Sequence, residues 1–323
     1  MSVTVAPVLG GMVPSSAVLT PGRRTEHVLE DGRPTSLERE QLRRIPTVRN
    51  AISVASTYVQ TLALIALAVR VGPWSWPPIF VLMGRAHAQF ASLMHEAAHR
   101  LLFPNKRLND LVGRWIIGYP AWTNTDAYRR VHMAHHREEF GPNEPDIALY
   151  ANYPISPASF RRKLWRDLTG RTGLRLLREQ LAGARSPIPV VRRTLLKILA
   201  VQAMLWGVAI AVGYWWVYPL FWLAPYLTVW RVINRLRSIA EHGGLAASSD
   251  RRIATHSVRQ NRTARFFLVP FHIGWHLAHH VDAGIPFRNL PRYHRLMQES
   301  GYVVPGYEYP SYRSLWNALR TAR

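Results

Sequence analysis

Three short clusters hold eight of the chain's 14 histidines: His95-Glu96-Ala97-Ala98-His99, His132-Met133-Ala134-His135-His136 and His276-Leu277-Ala278-His279-His280. At this histidine frequency a His-x-x-His-His pattern is expected about 0.03 times in the chain, and it occurs twice. Spacings of three and four put imidazoles on one face of a helix, so each cluster can aim two or three ring nitrogens at one point. Clustered imidazole suits zinc, iron, copper or nickel. Cysteine is absent, so a transition metal has only nitrogen and oxygen to bind, and disulfides, iron–sulfur clusters and cysteine nucleophiles are excluded. Eight imidazoles exceed what one tetrahedral zinc uses and point to a pair of ions.

The elements that must carry these clusters read as helices in a membrane. Hydrophobic residues make up 48% of the 323 positions. Ala51–Ala68 and Ile198–Val217 are uncharged and long enough to span a bilayer core of roughly 30 Å. Each is followed by a weaker apolar segment, Trp74–Met94 with Arg85 and His87, and Pro219–Ile239 with Arg231, Arg235 and Arg237. The expected spans are about 51–72, 74–94, 196–214 and 217–239, forming two hairpins. The net charge is +22, and the hairpin turns 72–78 and 214–219 contain no Lys or Arg. By contrast, 100–193 holds 17 basic against 8 acidic residues and 241–323 holds 11 against 5. The positive-inside rule then puts both termini and the middle segment in the cytosol. Parity agrees: with two spans alone, the second and third clusters would face opposite sides of the membrane. The basic residues are dispersed instead of gathered in one arm, which suits anionic headgroups better than nucleic acid.

Residues 1–45 are rich in Pro, Gly, Ser and Thr up to about Glu40 and read as a loosely ordered leader, and 46–323 as the membrane domain with a cytosolic helical cap at 95–194 and 240–323. The strand signal is weak throughout, so the fold class is an all-α integral membrane protein. Trp74, Trp76, Trp215, Trp216 and Trp222 read as an interfacial belt. The lone His87, His256, His272 and His294 read as structural residues, and Arg85 as snorkelling or internally paired.

The clusters, their order and their placement after paired apolar segments resemble the membrane fatty acid desaturase family, with its HxxxH, HxxHH and HxxHH boxes. The similarity spans Ala51 to about Tyr293, including the run His279-His280-Val-Asp-Ala-Gly-Ile-Pro286 that leads into a proline-rich turn. It implies a non-haem di-iron centre with His95, His99, His132, His135, His136, His276, His279 and His280 as ligands. It also implies a ninth ligand, His242, at the cytosolic end of the fourth span, with Ser238 four residues earlier where some acyl-CoA members have an asparagine that could hold a metal-bound water. Asp146 falls where the family has an acidic turn, either orienting an imidazole or capping a loop.

The resemblance implies an O2-dependent oxidoreductase that introduces a double bond into an acyl chain of a lipid or thioester. A hydroxylase or ketolase acting on a lipid, carotenoid or small metabolite is the alternative within the superfamily. No His-Pro-Gly-Gly haem motif, Gly-x-Gly-x-x-Gly fingerprint or cysteine cluster is present. Electrons would therefore come from a separate ferredoxin or cytochrome b5 system. Two rival chemistries fit less of the pattern. His95-Glu96-Ala97-Ala98-His99 is also the HExxH signature of a zinc protease, in which two further boxes would be superfluous. A metal transporter would carry its histidines near the bilayer midplane, whereas these stand at or beyond helix ends.

Overall fold

The structure, a computed structural model, describes residues 8–141, 144 and 146–321. Among them the regular structure is helical, and β-type pairing is confined to two isolated bridges, Val28 with Pro34 and Val258 with Tyr309. In chain order the helices begin with α1 (Ser36–Leu42), α2 (Thr47–Val71), α3 (Trp76–Ala98), α4 (Lys106–Leu111) and α5 (Thr125–Arg137). They continue with α6 (Ile147–Tyr150), α7 (Pro157–Leu168), α8 (Arg171–Ala182), α9 (Pro189–Ala211), α10 (Ala224–Leu227) and α11 (Val229–His242). The last are α12 (Arg251–Ala254), α13 (Arg262–Phe267), α14 (His276–Val281), α15 (Leu290–Glu299) and α16 (Tyr312–Leu319).

Among the described residues two helices are long and apolar enough to cross a membrane: α2, within the run Ser36–Val71, and α9. At 1.5 Å per residue α2 spans about 37 Å and α9 about 34 Å, more than the roughly 30 Å of hydrocarbon in a bilayer. Only 22% and 28% of their apolar windows are buried. Val59, Leu62, Met204 and Val208 are instead exposed, as on a helix whose surroundings are lipid.

Residues fall into two compact units. One comprises Pro46–Arg129 and Arg162–Asn234. Here α2 and α3 pack as a hairpin joined by the 3-10 turn Pro73–Ser75, with the Trp76 indole donating to the Ala68 carbonyl at 3.2 Å. Arg85 is internally paired, donating to Gln60 at 2.7 Å and Gln89 at 2.6 Å. His87 meets the Trp222 carbonyl at 3.0 Å, the structural role read for it. Trp222 departs from the expected belt: it is buried and donates its indole N–H to the Pro120 carbonyl at 2.9 Å.

The expected boundaries 74–94 and 196–214 shift to Trp76–Ala98 and Pro189–Ala211; Pro189 sits in the first turn of α9, where its missing N–H costs nothing. The expected span 217–239 is not one uninterrupted α-helix. It runs as a π-helical stretch, Tyr218–Leu223, then α10, a break at Thr228 (φ −121°, ψ −87°) and α11. Pro219 and Pro225 remove ladder donors, and Thr228 donates its hydroxyl to the Ala224 carbonyl at 2.7 Å, both recognised causes of a kink. Gly84 of α3 lies where a Cβ would come within 2.4 Å of Val229, so the chain beyond the break packs there only against glycine.

The other unit comprises the described parts of Met1–Ile45, Arg130–Arg161 and Arg235–Arg323. Residues 8–45, read from composition as a loose leader, carry α1 and defined tertiary contacts, while residues 1–7 lie outside the described residues. The buried Arg252 guanidinium donates to the carbonyls of Leu19 at 2.8 Å, Thr20 at 2.9 Å and Tyr302 at 3.0 Å, and Arg39 pairs with Asp282. Leu9 and Met12 pack on a core of Phe140, Tyr150, Leu245 and Ala254. These contacts join positions far apart in sequence, which composition does not register.

Candidate metal centre

Seven of the nine expected ligands lie in the unit just described. α5 carries the second box, with His132, His135 and His136 at i, i+3 and i+4 on one face. α14 does the same for His276, His279 and His280 after a turn in which Phe271 and His272 take left-handed φ of 59° and 70°. His242 is the last residue of α11. All of these but the half-buried His136 are buried.

The rings meet in two groups. The His136 Nε2 lies 3.1 Å from that of His132 and 3.0 Å from that of His279. The His242 Nε2 lies 2.9 Å from that of His276, and the His280 ring centroid is 4.8 Å from that of His242, 4.3 Å from that of His276 and 5.1 Å from that of His135. His136 and His280 link the groups at 4.3 Å. His242 therefore turns its ring into the cluster and does not cap its helix. Ser238 is half-buried one turn before it.

The opposite ring nitrogens are held from outside. His135 Nδ1 lies 2.9 Å from Glu144 Oε2 and 3.1 Å from Oε1; Glu144 also accepts from the backbone N–H of Phe140 at 3.3 Å and of Asp146 at 3.1 Å. His280 Nδ1 bonds to Glu139, whose other oxygen pairs with Arg251 at 2.8 Å. His242 Nδ1 bonds to the Ala254 carbonyl at 2.8 Å, and His276 Nδ1 stands 3.6 Å from Glu241. A histidine held this way at Nδ1 has its tautomer set so that Nε2 offers a lone pair. Sequence reasoning missed Glu139, Glu144 and Glu241. It read Asp146 as either an imidazole partner or a loop cap, whereas Glu144, two residues earlier, takes the His135 ring.

Electrostatics favours neutral rings at two positions. Burial pushes His242 and His280 well below the usual imidazole range. Burial acts the same way on His135, but the Glu144 hydrogen bond and charge outweigh it and the net shift is upward. For Glu144 burial alone would raise the carboxyl, and the His135 and backbone hydrogen bonds bring it below its ordinary value.

Two observations suit a transition metal. His280 Nε2 is buried with no hydrogen-bond partner while its Nδ1 is taken by Glu139. The closest Nε2 pairs, at 2.9 to 3.1 Å, match two nitrogens each about 2.1 Å from one ion and about 90° apart, which stand about 3.0 Å from each other. A cleft of about 580 Å³, lined in part by Arg33, Arg39, Arg251 and Asp282, reaches His136 and His280.

The first box lies in the unit of α2 and α3. His95 is in the last turn of α3 and His99 is its C-cap, with ring centroids 4.8 Å apart. His256 and His294, left out as ligands, have their own partners: His256 Nε2 on the Gly243 carbonyl at 2.9 Å and His294 Nε2 on Glu308 at 2.7 Å.

A family model described as "Fatty acid desaturase" matches residues 72–316, which include all nine histidines. The chain belongs to the fatty acid desaturase family. Membership makes it a desaturase-type oxidoreductase of a membrane family. Among curated proteins it is similar to dihydrorhizobitoxine desaturase of Bradyrhizobium elkanii, 28% identical over 272 residues that cover 79% of this chain and 77% of that one.

Proposed function

We propose that this desaturase is an O2-dependent di-iron enzyme in which His95, His99, His132, His135, His136, His242, His276, His279 and His280 hold two irons, and which introduces a double bond into an acyl chain of a lipid or thioester. The observation that carries the proposal is the two-sided grip on His242 and the second and third boxes: carboxylates and a carbonyl hold the outer nitrogens while the inner ones face each other at 2.9 to 3.1 Å. When bound, the irons supply oxygen activation and hydrogen abstraction from an unactivated methylene.

The chain's own residues do the positioning. Glu144 and Glu139 orient His135 and His280, the Ala254 carbonyl orients His242, and Arg251 neutralises Glu139 so that its partner remains an orienting acceptor. In the overall reaction the substrate gives up two hydrogens from neighbouring carbons, a separate ferredoxin or cytochrome b5 system supplies two electrons and solvent two protons, and O2 leaves as two waters. We place the spans 51–72, 74–94, 196–214 and 217–239 across the bilayer, the second, third and fourth as adjusted above, with the boxes and both termini on the cytosolic side. The positive-inside bias supports that placement.

A second reading keeps the chemistry and changes the substrate. The relative is named for dihydrorhizobitoxine and not for a fatty acyl chain, and the cleft that reaches His136 and His280 carries Arg33, Arg39, Arg251 and Asp282 beside the apolar Leu29, Pro34, Val281 and Ala283. Both are compatible with a smaller, polar metabolite as the substrate that is desaturated. Mass spectrometry of lipids and polar metabolites from cells with and without the protein separates the readings: the product is two hydrogens lighter than its substrate, in the lipid or the polar fraction. Formation of that product without air would overturn the O2-dependent mechanism.

A further inference from the structure

We propose that residues 162–193 form a docking face for anionic phospholipid headgroups, distinct from the metal centre. The stretch carries nine basic residues against two acidic ones, Asp167 and Glu179, and it runs directly into the membrane-crossing helix α9. Asp167 is buried, whereas eight arginines of the stretch are exposed, so the charge presented outward is almost wholly positive. The single exposed carboxylate, Glu179, is matched by Arg175 at 3.3 Å.

The same surface is apolar between its charges. Trp165 is 61% exposed and Leu168 50%, and Leu174, Leu181, Ile188 and Val190 are exposed as well. On α8, Arg171, Leu174, Arg175, Arg178 and Leu181 recur at three and four residues and share one outward stripe. Its opposite side is fixed: a Cβ on Gly173 would fall 2.1 Å from the Leu227 carbonyl oxygen, and Gln180 donates to the Trp122 carbonyl at 2.9 Å. α8 can therefore neither roll its leucines inward nor turn its arginines away.

Arginine alone would suit an acidic protein or a lipid surface equally. Leucine and tryptophan interleaved with arginine, at the point where the chain enters a spanning helix, suit the headgroup–acyl boundary: apolar side chains reach down while guanidinium groups remain at phosphate level. Arginine pairs with phosphodiester oxygens, and a net positive face distinguishes phosphatidylglycerol from zwitterionic phosphatidylcholine.

The test uses the full chain reconstituted in phosphatidylcholine vesicles and electron spin resonance of spin-labelled phosphatidylglycerol or phosphatidylcholine. One arginine beside one anionic headgroup corresponds to a roughly fivefold preference. The native chain is expected to favour phosphatidylglycerol by about that factor, and about 1 M NaCl to erase the preference. The variant R171Q/R175Q/R178Q is expected to fall below about twofold, while R23Q/R24Q/R313Q, which removes as much charge elsewhere, keeps it. Equal association of both lipids with the native chain would overturn the proposal without any variant. Equal losses in the two triple variants would overturn its location. Loss of binding to a plant-type [2Fe–2S] ferredoxin in R171Q/R175Q/R178Q, with lipid preference intact, would show a protein-docking face instead.

Discussion

Replacing Glu144 by Gln tests whether the carboxylates behind the histidines do more than fill space. Both oxygens of Glu144 are occupied as acceptors: His135 Nδ1 approaches each, and the N–H groups of Asp146 and Phe140 take one apiece. Glutamine is isosteric but offers one oxygen and one NH2, so one donor would face another donor. Losing the charge assistance costs about 1 kcal/mol and the mismatched donor about 1 to 2 kcal/mol. Their sum, about 2 to 3 kcal/mol, corresponds to roughly a 30- to 160-fold loss in metal affinity, overlapping the roughly 10- to 100-fold range found when a ligand histidine loses its supporting carboxylate.

The pH dependence has a definite sign. In the native chain His135 is shifted upward by Glu144, so protons begin to compete with metal at a pH above that of an ordinary imidazole. In E144Q burial acts without the carboxylate and draws the ring downward, so proton competition sets in at lower pH although affinity at neutral pH is weaker. Glu144 itself is shifted down, so its contribution to folding is present above the ordinary carboxylate value of 4.5 and is lost as the pH falls through its lowered one. Iron retention against a graded chelator from pH 5 to 8, in E144Q and the native chain, reads the affinity loss and the shift in proton competition. Unchanged affinity, or a competition midpoint that moves up, would refute the reasoning.

Three further outcomes follow from the same contacts. His242→Ala removes a ring that meets both His276 and the Ala254 carbonyl, and is expected to abolish turnover and lower bound iron while circular dichroism retains the native helix content; full activity would remove it from the ligand set. Glu96→Gln, lethal to an HExxH protease, is expected to leave measurable desaturase turnover, and complete loss with iron still bound would count against the desaturase reading of the first cluster. Arg252→Met strands the carbonyls of Leu19, Thr20 and Tyr302 and is expected to destabilise the chain by about 3 kcal/mol, seen as a lower melting temperature in detergent and faster proteolysis within residues 8–35.

Much of the site was readable because its logic is local. Three- and four-residue spacing on α5 and α14 aims the rings whatever surrounds them, so the second and third boxes were legible before any fold. Glu139 was not, since it reaches His280 across 141 positions and only tertiary contact joins them. The uncharged runs marked α2 and α9 because hydropathy over 18 residues is itself the physical criterion for crossing a bilayer. It says nothing of a break such as that at Thr228, which arises from prolines and a hydroxyl competing for the backbone. Composition likewise described residues 8–45 as a leader, since its holding contacts are arginine-to-carbonyl bonds from Arg252, more than 200 positions away.

Iron stoichiometry of the purified full chain, read together with iron K-edge X-ray absorption, tests the central claim most directly. Two irons per chain, surrounded by imidazole nitrogen at about 2.1 Å, with occupancy lost in His280→Ala, is the expected result. A single zinc per chain, or two irons still fully bound in His135→Ala, His242→Ala and His280→Ala alike, would contradict it.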